Sequence, residues 1–235
     1  MKYTTPKTIA VALLNLAVAG WLGAAPPVAD VGEAESFGHP ALYMGAASGG
    51  FSLASSCDPA ATSCFVLAPS PTTTTFTVTD DCRIKLPKKA TRTIIYPALN
   101  FFVNYELENH TGVFQPQGLF FFRASIDVES DALLDPTIID PSTGSPAAGK
   151  FRAVFNYTYR DDRSMQVNDR QRQQMTLVRV GNGGINKAFF VGQGVPQAVV
   201  DAMFAGPITL RMNVEGEAKL CDFASVTTNM RLFGD

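Results

Sequence analysis

Three pairs of carboxylates, each separated by one residue, are the most suggestive candidates for chemistry in this 235-residue chain. The pairs are Glu106/Glu108, Asp127/Glu129 and Glu215/Glu217. In a β-strand, residues i and i+2 point to the same face, with side chains about 6–7 Å apart. Two carboxyl groups at such a separation can act as the acid and the base or nucleophile of glycoside hydrolysis. The first two pairs are therefore the candidate catalytic carboxylates of a polysaccharide-active hydrolase or lyase.

A simpler interpretation places the same carboxylates on the solvent face of a sheet. Arginines that alternate with apolar residues in other segments could pair with them across strands, namely Arg123, Arg152, Arg160 and Arg211. Such pairs contribute well under about 1 kcal/mol each. We favour this interpretation because a half-buried antiparallel sheet already requires one polar face.

Catalysis that uses a histidine has few candidate residues, because His39 and His110 are the only histidines in the sequence. A serine or cysteine triad needs a histidine as its base. His110 follows the end of a predicted strand, where a turn histidine is more often exposed than catalytic. It is retained as a weak catalytic candidate.

Calcium is the metal that the acidic residues could suit. Asp161, Asp162 and Asp169 would supply carboxylate oxygens, but their spacing matches no known calcium loop. They are weak candidates, and no other metal is expected. No organic cofactor is expected either, since the chain has no glycine-rich phosphate-binding loop.

The four cysteines predict disulfides rather than a metal site. Their even number in an exported chain favours bonding, although three pairings are possible. We expect Cys57–Cys64 and Cys82–Cys221. Zinc is disfavoured because six residues separate the closest pair, whereas zinc motifs use about two to four.

The first 25 residues predict a secretory signal peptide. Lys2 and Lys7 precede an apolar run over 9–22, and small residues follow at 23–25. This run is shorter than the roughly 20 residues that span a bilayer. We therefore expect cleavage, a secreted or periplasmic location, and no transmembrane segment in the mature chain.

The charge and the aromatic residues of the chain indicate which classes of molecule it could bind. Only 17% of residues are charged, the net charge is −2, and the basic residues are scattered, so nucleic acid is not expected. Phe102 and Phe121 interrupt the polar sides of two predicted strands, and we expect the two rings to lie near each other if those strands are neighbours. Carbohydrate-binding surfaces use outward rings, as do interfaces. A glycan or another envelope protein is thus the expected partner, although burial of both rings under a loop or arm is the simpler interpretation.

The chain after the signal peptide divides by its pattern into two parts. Residues 26–75 are rich in Pro, Ala, Gly, Ser and Thr and predict an arm or linker, including a flexible or extended stretch at 45–56. Residues 76–235 alternate apolar and polar side chains with period two, which indicates half-buried antiparallel strands. The clearest segments are 99–107, 120–128, 151–159, 208–214 and 224–232.

Local signals complete the predicted fold. Asn182-Gly183-Gly184 predicts a hairpin turn between strands at 175–180 and 187–191. A short helix is expected at 196–204, where Pro196 precedes it and Gly206 follows it. About eight to ten strands in an all-β, jelly-roll-like antiparallel β-sandwich are expected.

These observations lead to one functional hypothesis and two alternatives. The hypothesis is an exported, non-enzymatic binding or structural protein of the cell envelope or extracellular space, with its ligand and oligomeric state open. The first alternative is the polysaccharide-active hydrolase or lyase. The second is a small outer-membrane β-barrel, whose strands also alternate.

Overall fold

Alternating apolar and polar residues form long strands throughout the described part of the chain. The computed structural model describes residues 42–61, 63–141, 143–180 and 185–235, without the side chains of 154–156 and 180. The strands are β1 (Leu42–Ala54), β2 (Cys64–Val66), β3 (Thr74–Leu86), β4 (Ile94–Glu108), β5 (Gln115–Glu129), β6 (Ile139–Asp140), β7 (Ser145–Pro146), β8 (Lys150–Met165), β9 (Arg170–Val180), β10 (Ile185–Asn186), β11 (Ile208–Lys219) and β12 (Cys221–Gly234). The expected signal peptide at 1–25 lies outside the described residues.

The order of the eight long strands is that of a jelly roll. Strands β1, β12, β4 and β9 are neighbours in a large sheet, which the short β2 and β10 extend, and β3, β11, β5 and β8 form a small sheet. All neighbouring long strands are antiparallel. Numbered by rank along the chain, the long strands read 1-8-3-6 and 2-7-4-5. This is the double Greek key of the jelly roll, so the expected sandwich is confirmed.

Aromatic rings from both sheets fill the space between them. Phe101 of β4 stacks on Tyr157 of β8 with ring centroids 4.4 Å apart. Tyr105 of β4 stacks on Phe120 of β5 at 4.6 Å, and Phe122 lies 5.4 Å from Phe101. All five side chains are buried. Because strand side chains alternate, this packing directs the even-numbered residues of β4 to the outer face of the large sheet.

The expected arm is partly a strand of the sheet. The sequence predicts a flexible or extended linker at 45–56, but β1 occupies Leu42–Ala54 and pairs with β12 along its length. Its small residues reflect close packing: a Cβ at Gly49 would lie 2.0 Å from the carbonyl oxygen of Asp81. The linker interpretation is therefore wrong for 45–54, and within the described residues strand structure begins at Leu42 rather than at residue 76.

The helices differ in part from the prediction. The one expected helix, at 196–204, is confirmed as α2 (Gln197–Ala205), but 187–191 form the helix α1 (Lys187–Gly192) instead of a strand. Asn186 begins α1 by accepting a hydrogen bond from the Phe189 amide at 2.7 Å. The predicted hairpin is absent among the described strands, since β9 and β10 both pair with β4; its turn at 182–184 is outside the described residues. No helix in the described part of the chain has the length and apolar character needed to cross a bilayer.

One of the two expected disulfides is present. Cys57 and Cys64 are bonded, with their Cα atoms 5.8 Å apart, which confirms that pairing. Cys82 and Cys221 are free and buried, so the second pairing is wrong. The Cys82 sulfur lies 3.4 Å from Thr228 Oγ1, and Thr228 is seven residues beyond Cys221 on β12. Seven residues of strand span about 20 Å, far more than a disulfide can bridge.

Burial also makes these two thiols unreactive. Burial raises the pKa of Cys82 to about 11 and the pKa of Cys221 to about 12. Both thiols therefore remain protonated at neutral pH. A nucleophilic or metal-binding role, which needs the thiolate, is disfavoured at either position.

A partly buried carboxylate ties β3 to the large sheet. Asp81 Oδ1 accepts a hydrogen bond from the Gly50 amide at 2.8 Å, and Oδ2 accepts one from Thr228 Oγ1 at 2.5 Å. Burial raises the pKa of Asp81 above its ordinary value, against the opposing effect of these hydrogen bonds. Through these two hydrogen bonds Asp81 holds β3 of the small sheet against β1 and β12 of the large sheet.

The raised pKa of Asp81 predicts a specific pH dependence of stability. The folded state holds the Asp81 proton more tightly than the unfolded state, so this contribution is full below the unfolded pKa and is lost as pH rises through the folded one. We expect Asp81→Asn to be progressively more stable relative to wild type as pH rises from about 3.5 to 7. Thermal unfolding across that range measures it. A difference that shrinks with pH would contradict the assignment.

Phe101 and Phe102 provide a matched test of which face of β4 is buried. Phe101 is fully buried, whereas Phe102 is 44% exposed. We expect Phe101→Ala to lower the free energy of unfolding by about 3–5 kcal/mol. Phe102→Ala should cost less than about 1 kcal/mol. Urea denaturation of both variants measures the difference, and equal losses would contradict the described faces.

Candidate functional site

The candidate carboxylates of the small sheet are bound by cations on its outer face. Asp127 Oδ1 lies 3.1 Å from Arg152 Nε, and Asp127 Oδ2 lies 3.5 Å from Lys150 Nζ. Asn213 Nδ2 donates to Oδ2 at 2.9 Å. Register explains the cluster, because Asp127 is directly opposite Arg152 in the sheet. Both carboxylate oxygens of Asp127 therefore have partners within an ion-pair network.

Two further acids of this face are also paired. Glu129 lies 2.6 Å from Arg211 Nε, and Glu215 forms an ion pair with Arg123 on the neighbouring strand. Glu129 also borders a cavity of about 320 Å³. Cross-strand ion pairing, the simpler of the two sequence interpretations, describes this face.

Glu106 and Asp127 lie on opposite sides of the sandwich. Glu106 is on the outer face of the large sheet, since Tyr105 and Leu107 on either side of it point into the core. Asp127 is on the outer face of the small sheet. The two candidate pairs therefore share no cleft, and an acid from one cannot work with an acid from the other.

Glu106 is held by a bidentate ion pair at one end of the large sheet. Arg170 Nε and Nη2 donate to its two carboxylate oxygens at 2.8 and 3.0 Å. Glu106 is only 3% exposed, although its partner is on the surface. Glu108 lies 3.6 Å from the same guanidinium. Both carboxylates are thus occupied as hydrogen-bond or charge partners.

His110 joins this end of the sheet through a residue that sequence reasoning missed. Its Nε2 lies 3.0 and 3.1 Å from the two carboxylate oxygens of Asp222, and its Nδ1 lies 3.7 Å from Glu108 Oε1. The hydrogen bond to Asp222, followed by the charges of Asp222 and Glu108, raises the pKa of His110. Asp222 is 112 residues away in the chain, so no local pattern indicated the contact.

Glu108, His110 and Asp222 are also residue types that bind metal ions, and they lie close together at this end of the sheet. One ligand atom each from Glu108, His110 and Asp222 lies within 4.8 Å of the others. However, the two carboxylates face different nitrogens of the imidazole, and Arg170 adds a positive charge 3.6 Å from Glu108. These features fit an ion-pair network better than a cation site.

The three calcium candidates do not converge. Asp161 accepts a hydrogen bond from Arg163 Nε at 2.8 Å, and Asp162 is paired with Arg160. Asp161 and Asp162 are neighbours on β8 and therefore point to opposite faces. Asp169 is in the loop beyond β8, where its carboxylate accepts from the Gln166 amide at 2.6 Å. The structure provides no common calcium position for these three residues.

The centre of the large sheet's outer face has a different chemistry. Three cross-strand rows run over β1, β12, β4 and β9 in register. The rows are Ser48–Asn229–Asn100–Val178, Gly50–Thr227–Phe102–Thr176 and Ser52–Ser225–Asn104–Gln174. We call these twelve residues the neutral face, because none of them carries a charge.

Phe102 is the aromatic ring of the neutral face. It is 44% exposed and contacts no other ring or cation among the described residues. Phe121, by contrast, lies on the outer face of the small sheet with the Arg160 guanidinium 5.9 Å from its ring centroid. The two phenylalanines were expected to lie near each other if their strands were neighbours, and that condition is not met, since β4 and β5 belong to different sheets.

Most polar groups around Phe102 have no protein partner. Asn104 Oδ1 is buried from solvent without a hydrogen bond. The described part of the chain also supplies no side-chain hydrogen bond to five neighbours, namely Asn100, Gln174, Thr176, Ser225 and Thr227. Asn229 differs, since it donates to Ser48 Oγ at 3.0 Å. The neutral face thus combines an exposed ring with donors and acceptors that remain available.

Known proteins offer no guide to the role of these features. No protein-family model, curated protein or solved structure matches the chain. Function must therefore be argued from the geometry of the sites, since a jelly roll alone does not imply one.

The His110–Asp222 contact makes a testable electrostatic prediction. Because Asp222 raises the pKa of His110, the ion pair is present at lower pH and is lost as pH rises through the folded value. We expect Asp222→Asn to move the His110 titration midpoint to lower pH. NMR titration of the His110 ring protons measures the shift. An unchanged midpoint would contradict the pairing.

Proposed function

We propose that this protein is an exported, non-enzymatic binding module that contacts its ligand through the neutral face of the large sheet. The cell envelope or the extracellular space is the proposed location. The observation that carries the proposal is the contrast between the two outer faces. One is a network of ion pairs, and the other presents Phe102 among polar groups without partners.

Export is supported by two independent features. The N-terminal segment has the basic start, apolar run and small-residue exit of a signal peptide. The Cys57–Cys64 disulfide is typical of oxidising compartments outside the cytosol. Both features fit a protein that meets its partner at or beyond the cell surface.

Binding without turnover is supported by the state of the candidate acids. A catalytic carboxyl group needs an oxygen atom that can reach the reacting group of the substrate. Both oxygens of Glu106 instead accept hydrogen bonds from Arg170, and those of Asp127 accept from Arg152 and Asn213. These contacts support a structural role for the two side chains.

The test introduces charge into the neutral face. In Thr176→Arg/Thr227→Arg, two arginines flank Phe102 in its own row, at positions whose threonine side chains are exposed to solvent. We expect the secreted wild-type protein to co-sediment with envelope material from the producing organism, and the double variant to lose at least tenfold in affinity. The matched control, Thr75→Arg/Thr77→Arg, places the same charges on exposed positions of the small sheet.

Two results would contradict the proposal. One is equal retention of wild type and the neutral-face double variant. The other is release of soluble product from the envelope material by wild type but not by Glu106→Gln, which would establish catalysis at the Glu106 end of the sheet. Thermal unfolding of each variant verifies that the fold is retained.

A further inference from the structure

We propose that the ligand of the neutral face is a neutral saccharide chain, stacked on Phe102 and hydrogen-bonded by the amides and hydroxyls around it. This inference rests on the proposed function and names the class of ligand. It follows from four properties of the face: its ring, its unused polar groups, its lack of charge and its dimensions.

The ring supplies the apolar half of saccharide recognition. One side of a sugar ring is a patch of C–H groups, and an exposed aromatic ring offers a flat apolar surface of similar size. Phe102 lies in the middle row of the neutral face, between Thr227 on β12 and Thr176 on β9. Its exposed surface is therefore open from above and framed by hydroxyl groups.

The polar side chains without partners supply the hydrogen bonds that saccharide recognition also needs. A sugar hydroxyl both donates and accepts, and an asparagine or glutamine amide offers one acceptor and one donor group. Asn100 and Asn104 flank Phe102 on β4, and Gln174 is directly opposite Asn104. The unpaired Oδ1 of Asn104 would gain a hydrogen bond if the amide turned toward a bound hydroxyl.

The arrangement of charge favours a neutral saccharide over an acidic one. The nearest cations border the neutral face but are engaged: Arg170 holds Glu106, and the Arg172 guanidinium lies 5.4 Å from the Phe223 ring centroid. At the opposite border, Arg231 Nε donates to Asn229 Oδ1 at 3.2 Å. An acidic polysaccharide would find no free cation within the three rows.

The dimensions also fit an oligosaccharide. Neighbouring strands are about 4.8 Å apart and successive side chains on one face about 6.8 Å apart, so the neutral face measures roughly 14 Å by 14 Å. A lipid surface would need a broader apolar patch than Phe102 and Val178 provide. A peptide that extends a sheet would need a strand edge, whereas the neutral face is the middle of four paired strands.

The experiment is affinity electrophoresis of the full secreted protein in gels that contain defined polysaccharides. The neutral probes are hydroxyethylcellulose, xyloglucan, galactomannan, laminarin and dextran, and the acidic probe is polygalacturonate. We expect at least one neutral probe to retard the wild-type protein. We also expect polygalacturonate to leave its mobility unchanged.

Matched variants locate the binding. Phe102→Ala should weaken binding of the retarding probe at least tenfold, and Phe102→Trp should retain it. Phe121→Ala removes the corresponding outward phenylalanine from the small sheet and should bind like wild type. Asn104→Ala and Gln174→Ala should each weaken binding by a smaller factor.

Several outcomes would overturn the inference. They are retardation by none of the neutral probes, retardation that Phe102→Ala leaves unchanged, or a dimer of this chain that Phe102→Ala dissociates. If envelope co-sedimentation still depends on Thr176 and Thr227 while no neutral probe binds, the binding face stands and the ligand class is wrong. If neither assay responds to changes on the neutral face, the proposed function fails as well.

Discussion

The aromatic packing between β4 and the small sheet is the constraint on which the rest of the structure depends. Phe101 and Tyr105 stack on rings from β8 and β5, and this contact decides which residues of β4 point outward. A shift of one residue would bury Phe102 and expose Phe101. The same alternation that makes the core therefore places an unpartnered ring and two asparagine amides on the surface.

The two outer faces show how one fold separates two kinds of surface. On the small sheet, register places arginines opposite carboxylates, as with Arg152 and Asp127. Most of its carboxylates are held by cations in this way, as are Glu129 by Arg211 and Glu215 by Arg123. On the large sheet, register instead aligns amides, hydroxyls and one ring, and the charged groups are confined to its ends. Hydrogen-bonding capacity without charge is the property that distinguishes the neutral face.

The sequence was sufficient to predict the features that depend on local alternation of apolar and polar residues. It was not sufficient to predict the features that depend on how distant strands pair and pack. The buried and exposed sides of β4 and β5 follow from period two, and the sandwich follows from those sides. Strand β1 was missed because its Ala, Gly and Ser residues resemble a linker, although Gly49 is small to admit the backbone of Asp81. Cys82 and Cys221 were paired wrongly because only the packing of β3 against β12, between the two sheets, shows that Cys82 contacts Thr228. Asp222 was also missed because its contact is distant in sequence: Asp222 is in β12, whereas its partner His110 lies in the loop between β4 and β5. The neutral face itself required the alignment of four strands that are distant in sequence.

The central claim is that ligand contact occurs on the neutral face. The most direct measurement is an NMR titration of the isotopically labelled protein with a soluble neutral oligosaccharide, following the side-chain amide signals. The account predicts that the largest shifts occur at Asn100, Asn104 and Gln174, with the ring protons of Phe102. Shifts concentrated at Asp127 and Arg152, or at Glu106 and His110, would contradict it.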